Sequence, residues 1–454
     1  MFSPIAPAIA LRRSAAELRR NSLRCRRGLL TLAIETSCDD TSVAIVEKSN
    51  TDSSPKAKIH FLENITADSR AHRGIHPILA LESHQESMAN LVNKALKSLP
   101  ATKEGQPSIY LADGSTRRRP DFISATRGPG MRSNLSVGLD TGKALSVAWQ
   151  IPMVGVHHMQ AHLLTPRLVS CLENAAAENG KNDTSTSTST SSVGSAASPR
   201  SHSSQSSFPA AIQSSEDIAI GEALDKSARE IIPAELLSEA TNTMYAKTLE
   251  KFVFPNGAAD FGDYKPPLNR GEEVANMKKQ SGYGWSVTVP FANTRALQLS
   301  FSSIASMVNK IVKARSESLS HLERVELGRE TMRVCFEHLA SRTIIALEQL
   351  RLSHVGDEEV KTLVVSGGVA ANRFLMAVLR SFLDVRGFGG VRIVAPPPYL
   401  CTDNAAMIGW AGIEMFEAGW ETGLGVRALR KWTLDPEAED GGVLGPGGWV
   451  KRDV

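Results

Sequence analysis

The chain has 454 residues, of which 42% are apolar and 22% charged. That is room for two or three domains of an ordinary globular protein, and it excludes a collagen, a wholly disordered chain and a small disulfide scaffold. The net charge of +3 is unevenly spread: residues 1–30 hold seven arginines against one acid, Glu17, a net +6 that leaves −3 for the remainder.

That Arg-rich, acid-poor N-terminus is expected to be a mitochondrial transit peptide. Five scattered cysteines (Cys25, Cys38, Cys171, Cys335, Cys401) form no CxxC pair, which argues against a zinc ribbon and for a reducing compartment. No run of 18 apolar residues is present, so no membrane span is expected.

Ordered structure is expected from Leu29. Leu32–Ile34 and Val43–Val46 read as two short strands of a hairpin whose turn, Glu35 to Ser42, is acidic and hydroxyl-rich. Residues 77–98 carry Ile78, Leu81, Met88, Leu91 and Leu96 on one helical face. Residues 100–120 read as a loop ending in Arg117-Arg118-Arg119. A strand over Asp121–Ala125 leads into Thr126-Arg127-Gly128-Pro129-Gly130, and a helix follows from about Ser133 to Trp149. Val154–Val156 is the next strand, and His157-His158-Met159-Gln160-Ala161-His162 opens another helix. The alternation is that of an α/β protein.

Residues 173–207, with a Thr/Ser repeat from Thr184 to Ser192, read as a disordered insertion, because such composition buries too little apolar surface to offset chain entropy. A helix carrying Ile220, Leu224 and Ala228 resumes near Asp217, and 316–353 is strongly helical. Leu363–Val365 is a buried-type strand running into Ser366-Gly367-Gly368, with a helix after Arg373. Val391–Val394 is a further strand, and Thr402-Asp403-Asn404 opens a helix from about Ala405.

Several of these residues could carry chemistry. His158 and His162 are four apart, which on a helix places both imidazoles on one face within reach of one metal. Position 159 is Met, so the glutamate of a zinc-protease HExxH is missing, which argues against peptide hydrolysis. Two capping or core histidines are the plainer alternative. Asp403 is a candidate third ligand, on a strand-to-helix turn. The Gly-Gly turn of Ser366 to Asn372 could let a nucleotide approach backbone and helix N-terminus, or be simply a tight turn. The Glu35–Ser42 hairpin could hold a metal or phosphate, or be a solvated turn. Asp225 could accept from a ribose or another substrate group, or be a helix-face charge.

Taken together, five ordered segments resemble one family. They are Leu32 to Ser42, Thr126 to Arg132, Gly155 to Pro166, Ser366 to Arg373, and Cys401 to Asn404. The family is the tRNA adenosine threonylcarbamoyltransferases, and the N-terminus resembles its mitochondrial, stand-alone branch. The resemblance implies an α/β fold of the actin/Hsp70/sugar-kinase type, two RNase-H-like lobes around a cleft. It implies one divalent metal ion, zinc or iron, held by His158, His162 and Asp403, and substrate contacts from Asp225, Glu250, Ala371, Asn372 and Thr402. Its partners would be tRNA, threonylcarbamoyl-adenylate and a second copy of the chain in a homodimer. On the fold it implies, 1–30 is the transit peptide, 31–168 the first lobe and 169–216 the disordered insertion. The second lobe with a helical insertion spans 217–435, and 436–454 is a flexible tail. The basic runs Arg117–Arg119 and Arg427, Arg430 and Lys431 are candidate phosphate contacts or plain solvated surface.

The chain departs from that family in one place. Only residues 210–216 separate Phe208-Pro209 from the segment starting at Asp217, and a Ser-Gly-Gly-His-Thr-type loop with its flanking strands is missing. This points to a mis-spliced gene model or isoform, or to a divergent paralogue with impaired catalysis. An ATPase or kinase on the same fold is a competing reading, although it gives the HxxxH–Asp403 set no role.

Overall fold

The computed structural model describes residues 28–50, 54–72, 74–181, 217–239, 243–276, 279–315, 319–352 and 360–452. The transit-peptide expectation for 1–30 therefore falls almost wholly outside the described residues.

The first lobe is built on β1 (Leu29–Glu35), whose residues from Leu30 onward are all buried. A strand that is apolar on both faces belongs in the middle of a covered sheet. β2 (Asp40–Asn50) runs antiparallel to β1, pairing Leu32 with Ile45, and β3 (Pro55–Thr66) runs antiparallel to β2. Helix α1 (Pro77–Lys97) follows, then a small hairpin of β4 (Ser108–Tyr110) and β5 (Thr116–Arg118). β6 (Phe122–Gly128) pairs parallel with β1, and β7 (Met153–His157) parallel with β6, with helix α2 (Arg132–Trp149) between them. The five-stranded order is β3-β2-β1-β6-β7. Helix α3 (His158–Lys181) leaves β7 directly.

Two expectations are corrected here. Residues 169–181 are the continuation of α3 rather than part of a disordered insertion, because the apolar stripe of Leu168 and Cys171 keeps the helix docked on the lobe. The rest of the Ser/Thr-rich stretch, 182–216, lies outside the described residues. Residues 100–120 are not a simple loop, and Arg118 is not free for phosphate: its guanidinium is buried, donating to Glu47 at 2.5 Å and Asp121 at 2.9 Å.

The second lobe is mostly helical. Helices α4 (Ile220–Ile231), α5 (Ala234–Ser238), α6 (Tyr245–Val253), α7 (Arg270–Asn276) and α8 (Ser302–Ala314) gather around α9 (His321–Leu352). The 32 residues of α9 include the consecutive buried run Val334 to His338, so the middle of this helix is enclosed on all sides and forms the lobe's axis. β8 (Thr362–Val364), α10 (Arg373–Val385) and β9 (Arg392–Val394) make one parallel βαβ unit. Among the described residues β8 and β9 pair only with each other, and both are incompletely buried.

After the short helix α11 (Pro398–Cys401), the chain returns to the first lobe. Helix α12 (Ala405–Glu417) packs across β1, β2, β6 and β7. A Cβ on Gly412 would fall 2.0 Å from Ser124 Oγ, and one on Gly409 2.8 Å from Val46 Cγ2, so both glycines are needed for the helix to lie this close. β10 (Trp420–Thr422) and β11 (Trp449–Lys451) then pair antiparallel, with Trp449 against Trp420 and Trp432. The second lobe therefore ends near Asp403 rather than at 435. Residues 436–452 are not a loose tail, because β11 ties them to the first lobe.

Candidate metal centre

Three elements converge at the carboxyl end of the first-lobe sheet. The local sequence explains why α3 starts where it does. The buried ring of His157 caps it, with Nδ1 accepting from the backbone N–H of Met159 at 3.1 Å and of Gln160 at 3.3 Å. Burial lowers the His157 pKa to about 4, so the ring stays neutral and can accept. With the capping role taken by His157, His158 and His162 project from the first two turns. Asp403 reaches them from the opposite side, at the N-terminus of α12, where Asn404 Oδ1 accepts from Met407 N.

The Nε2 atoms of His162 and His158 lie 3.0 and 3.4 Å from Asp403 Oδ1. One ligand atom from each of the three residues falls within 4.8 Å of the other two. Bonds of about 2.1 Å at tetrahedral angles separate ligand atoms by about 3.4 Å, so the triad is spaced as three ligands of one ion. The donor set is two imidazoles and a carboxylate. Both rings turn Nε2 to the carboxylate, so the residues fit a divalent cation.

Behind His158 stands a group that sequence reading did not assign this role. Glu35 is fully buried at the end of β1, and its Oε2 lies 3.1 Å from His158 Nδ1. Ser37 N donates to Glu35 Oε1 at 2.5 Å and Thr126 Oγ1 to Glu35 Oε2 at 2.6 Å. A carboxylate bonded to the second nitrogen of a ligating histidine fixes its tautomer and orientation. The available signal was only that Glu35, a charged residue, ends a strand otherwise wholly apolar or small.

The electrostatics agree. Burial pushes the Asp403 carboxyl up, but the two imidazoles beside it hold it far below the usual carboxylate range. Burial likewise raises Glu35, and the His158 charge and hydrogen bond outweigh it. Burial lowers His158, and Asp403 and Glu35 together raise it well above an ordinary histidine. At the hairpin tip, burial lifts Asp40 to about 7, with help from Asp39, Asp403 and Glu35. The surroundings of the triad are thus rich in carboxylates.

The residues expected to contact substrate form a second group on the second lobe. Asp225 on α4 accepts from Ala246 N at 2.6 Å, and burial raises its carboxyl to about 6. The charge of Asp39 adds to that rise. Glu250 on α6 accepts from Arg373 N at 3.1 Å, and Asn372 caps α10 by accepting from Leu375 N at 3.0 Å. Gly367 takes a φ of +97°, which a side-chain-bearing residue rarely adopts, and opens the turn that leaves Ala371 exposed beside Asn372. Thr402 is partly exposed, one residue before Asp403. The structure thus gathers His158, His162 and Asp403 in one cluster, and Asp225, Glu250, Ala371 and Asn372 in another.

Comparison with known proteins gives these two clusters a family. The sequence model of TsaD, tRNA N6-adenosine threonylcarbamoyltransferase, matches residues 60–178 and 208–410. This chain belongs to that family. It is 32% identical to the "tRNA N6-adenosine threonylcarbamoyltransferase, mitochondrial" of Schizosaccharomyces pombe, over 94% of this chain and 90% of that protein. It is 30% identical to the tRNA N6-adenosine threonylcarbamoyltransferase of Rhizobium etli, over 90% of this chain and 95% of that one. Among solved structures, YeaZ from Pseudomonas aeruginosa aligns with 34% of this chain and 50% of its own at 18% identity. Its TM-score of 0.16 is too slight a likeness to bear on the fold. Family membership and the mixed α/β model with its central sheet agree with the α/β fold expected from the sequence.

Proposed function

We propose that this protein transfers the threonylcarbamoyl group of threonylcarbamoyl-adenylate to the exocyclic amine of the adenosine beside the anticodon, in tRNAs reading ANN codons. It acts in the mitochondrial matrix, a placement supported by the mitochondrial name of its S. pombe relative and by the arginine-rich residues 1–30. The observation that carries the reading is the His158–His162–Asp403 triad with Glu35 behind it, in a chain of this family.

His158, His162 and Asp403 would hold a zinc or iron ion. When bound, the ion supplies positive charge and Lewis acidity for a phosphate oxygen. Glu35 holds the His158 ring so that Nε2 faces the cleft. Asp225 and Asn372, together with Glu250, Ala371 and Thr402, hold the adenylate from the second lobe. The adenosine amine attacks the carbamoyl carbon, the new C–N bond forms, the C–O bond to the phosphate breaks, and AMP leaves with the amine's proton passing to solvent or phosphate. Catalysis on this reading is positioning plus electrostatic stabilisation. The anticodon-loop base must be splayed out of its stack to reach the cleft. A homodimer belongs to the same reading and is checked by sedimentation.

The test is incubation of the metal-loaded protein with threonylcarbamoyl-adenylate and a mitochondrial tRNA transcript, followed by mass spectrometry of the nucleosides. Formation of threonylcarbamoyladenosine, lost in Asp225→Asn, supports the reading. A metal-loaded protein that leaves the tRNA unmodified contradicts it.

One observation favours a second reading, an impaired or mis-spliced member of the same family. Among the described residues the second lobe has only the two half-covered strands β8 and β9 where a full sheet is expected. Sequencing the transcript across codons 207–217 decides it: an additional coding stretch with a Ser-Gly-Gly-His-Thr loop means that the full-length product is the active form.

A further inference from the structure

Arg127 follows Thr126 on β6, and successive strand residues face opposite sides of a sheet. Thr126 turns to Glu35 and the metal cluster, so Arg127 turns away from it. The Arg127 side chain lies across Gly155, where a Cβ would meet it at 3.2 Å. The residue is 4% exposed. Its Nε donates to the Arg427 carbonyl at 3.3 Å and its Nη2 to the Gly447 carbonyl at 2.8 Å, while the Trp432 ring lies 5.6 Å from the guanidinium carbon. Nη1 is buried and has no partner among the described residues. Among the described residues no carboxylate pairs with this guanidinium, so its charge is met only by carbonyl dipoles and a ring face.

Burying one cation without a carboxylate partner is costly, and an arriving anion would offset that cost. Arg127 forms part of the wall of a cavity of about 340 Å³, the size of a small-ligand pocket. Gly423, Gly425, Gly447 and Gly448 line much of the rest, exposing backbone to close approach, and Arg427 lies exposed in the same lining. With Nε and Nη2 donating to carbonyls, Nη1 is the nitrogen left to donate to an oxygen of a phosphate group.

We propose that this cavity binds a phosphate group, with Arg127 as its buried anchor and Arg427 at its mouth, at a site separate from His158, His162 and Asp403. The phosphate could be supplied by an RNA backbone or as a free phosphate. The RNA source rests on the tRNA-modifying reading, whereas the free-phosphate source does not.

Gly425→Leu tests the proposal without removing a buried charge. A Cβ at Gly425 meets nothing within 4 Å, so the leucine fills cavity space rather than displacing backbone. Arg427→Glu, an exposed substitution, is the second variant. Melting of the full chain is followed in rising inorganic phosphate against chloride at equal ionic strength, and tRNA binding is measured across a salt series. A saturable phosphate-dependent rise in Tm that Gly425→Leu abolishes and Arg427→Glu weakens supports the site. If tRNA affinity also falls several-fold in both variants, and the salt dependence loses about one phosphate contact, the source is the RNA backbone. If tRNA affinity is unchanged while the phosphate effect is lost, the source is a free phosphate. A phosphate effect no greater than that of chloride, with tRNA binding indifferent to Gly425→Leu, overturns the proposal. Failure of tRNA binding in the wild type as well would count against the tRNA reading and leave the phosphate titration to decide the site.

Discussion

The first lobe spreads its core over a five-stranded sheet covered on both faces, and the second packs its core around the single helix α9 with two short strands at its side. This difference divides the site. Glu35, Thr126, His158 and His162 all come from the complete sheet or the helix leaving it, and Asp403 sits where α12 docks back onto that sheet. Asp225, Glu250 and Asn372 depend on helices of the other lobe, held to one another by backbone hydrogen bonds to side chains. Metal binding should therefore be the sturdier property and substrate binding the more fragile one.

The largest effect is expected at Asp403, the one proposed ligand outside α3. Asp403→Ala leaves two histidines, which should abolish stoichiometric metal binding and reduce tRNA modification on the order of a thousandfold, the several kcal/mol that a bound metal supplies. Metal content and modification rate should fall together, and a variant that keeps its metal would break the comparison between lobes.

Core truncations sharpen it. Phe336→Ala in α9 should cost about 3–5 kcal/mol and Leu32→Ala in β1 about 2–5 kcal/mol. Under mild denaturant, Phe336→Ala should lose substrate affinity before metal, and Leu32→Ala should lose metal. Equal loss of both in both variants would mean that the lobes unfold as one unit.

Glu35→Gln is milder. It keeps the shape but removes the carboxylate behind His158, and should weaken metal affinity about 10–100-fold. Competition with a chelator measures this, and an unchanged affinity would remove Glu35 from the site.

The smallest effect is a pH dependence. His338 is buried in α9 and accepts from Ser300 N at 3.2 Å, so it is neutral; burial lowers its pKa to about 3. His157 is likewise held at about 4 by burial. Both folded values lie below the ordinary 6.5, so their stabilisation is complete above pH 6.5 and is lost as pH falls toward 4 and 3. Each group should cost no more than about 1.4 kcal/mol per pH unit. Denaturant midpoints at pH 7, 6 and 5 check this, and in His338→Gln the decline should flatten.

The grouping of His158, His162 and Asp403 into a candidate metal site was largely legible in the chain. The spacing of His158 and His162 works because position 157 caps the helix and leaves the next turn free. Asp403 was legible because Thr402-Asp403-Asn404 ends an apolar stretch with a helix-capping residue. The role of Glu35 was not, since it depends on where the end of β1 meets the first turn of α3, 123 positions further along the chain. The return of α12 escaped for a related reason. Ala405 to Phe416 is apolar nearly all round, so its pattern shows burial without saying against which lobe. Arg118 read as part of a basic run, and only its depth beside Glu47 and Asp121 shows a structural ion pair.

The measurement closest to the central claim is the metal content of the purified full chain, wild type against Asp403→Ala, by inductively coupled plasma mass spectrometry after reconstitution with zinc or iron. The account predicts about one ion per wild-type chain and almost none in Asp403→Ala. A wild-type chain that takes up no metal, or a variant that takes up as much, would contradict it.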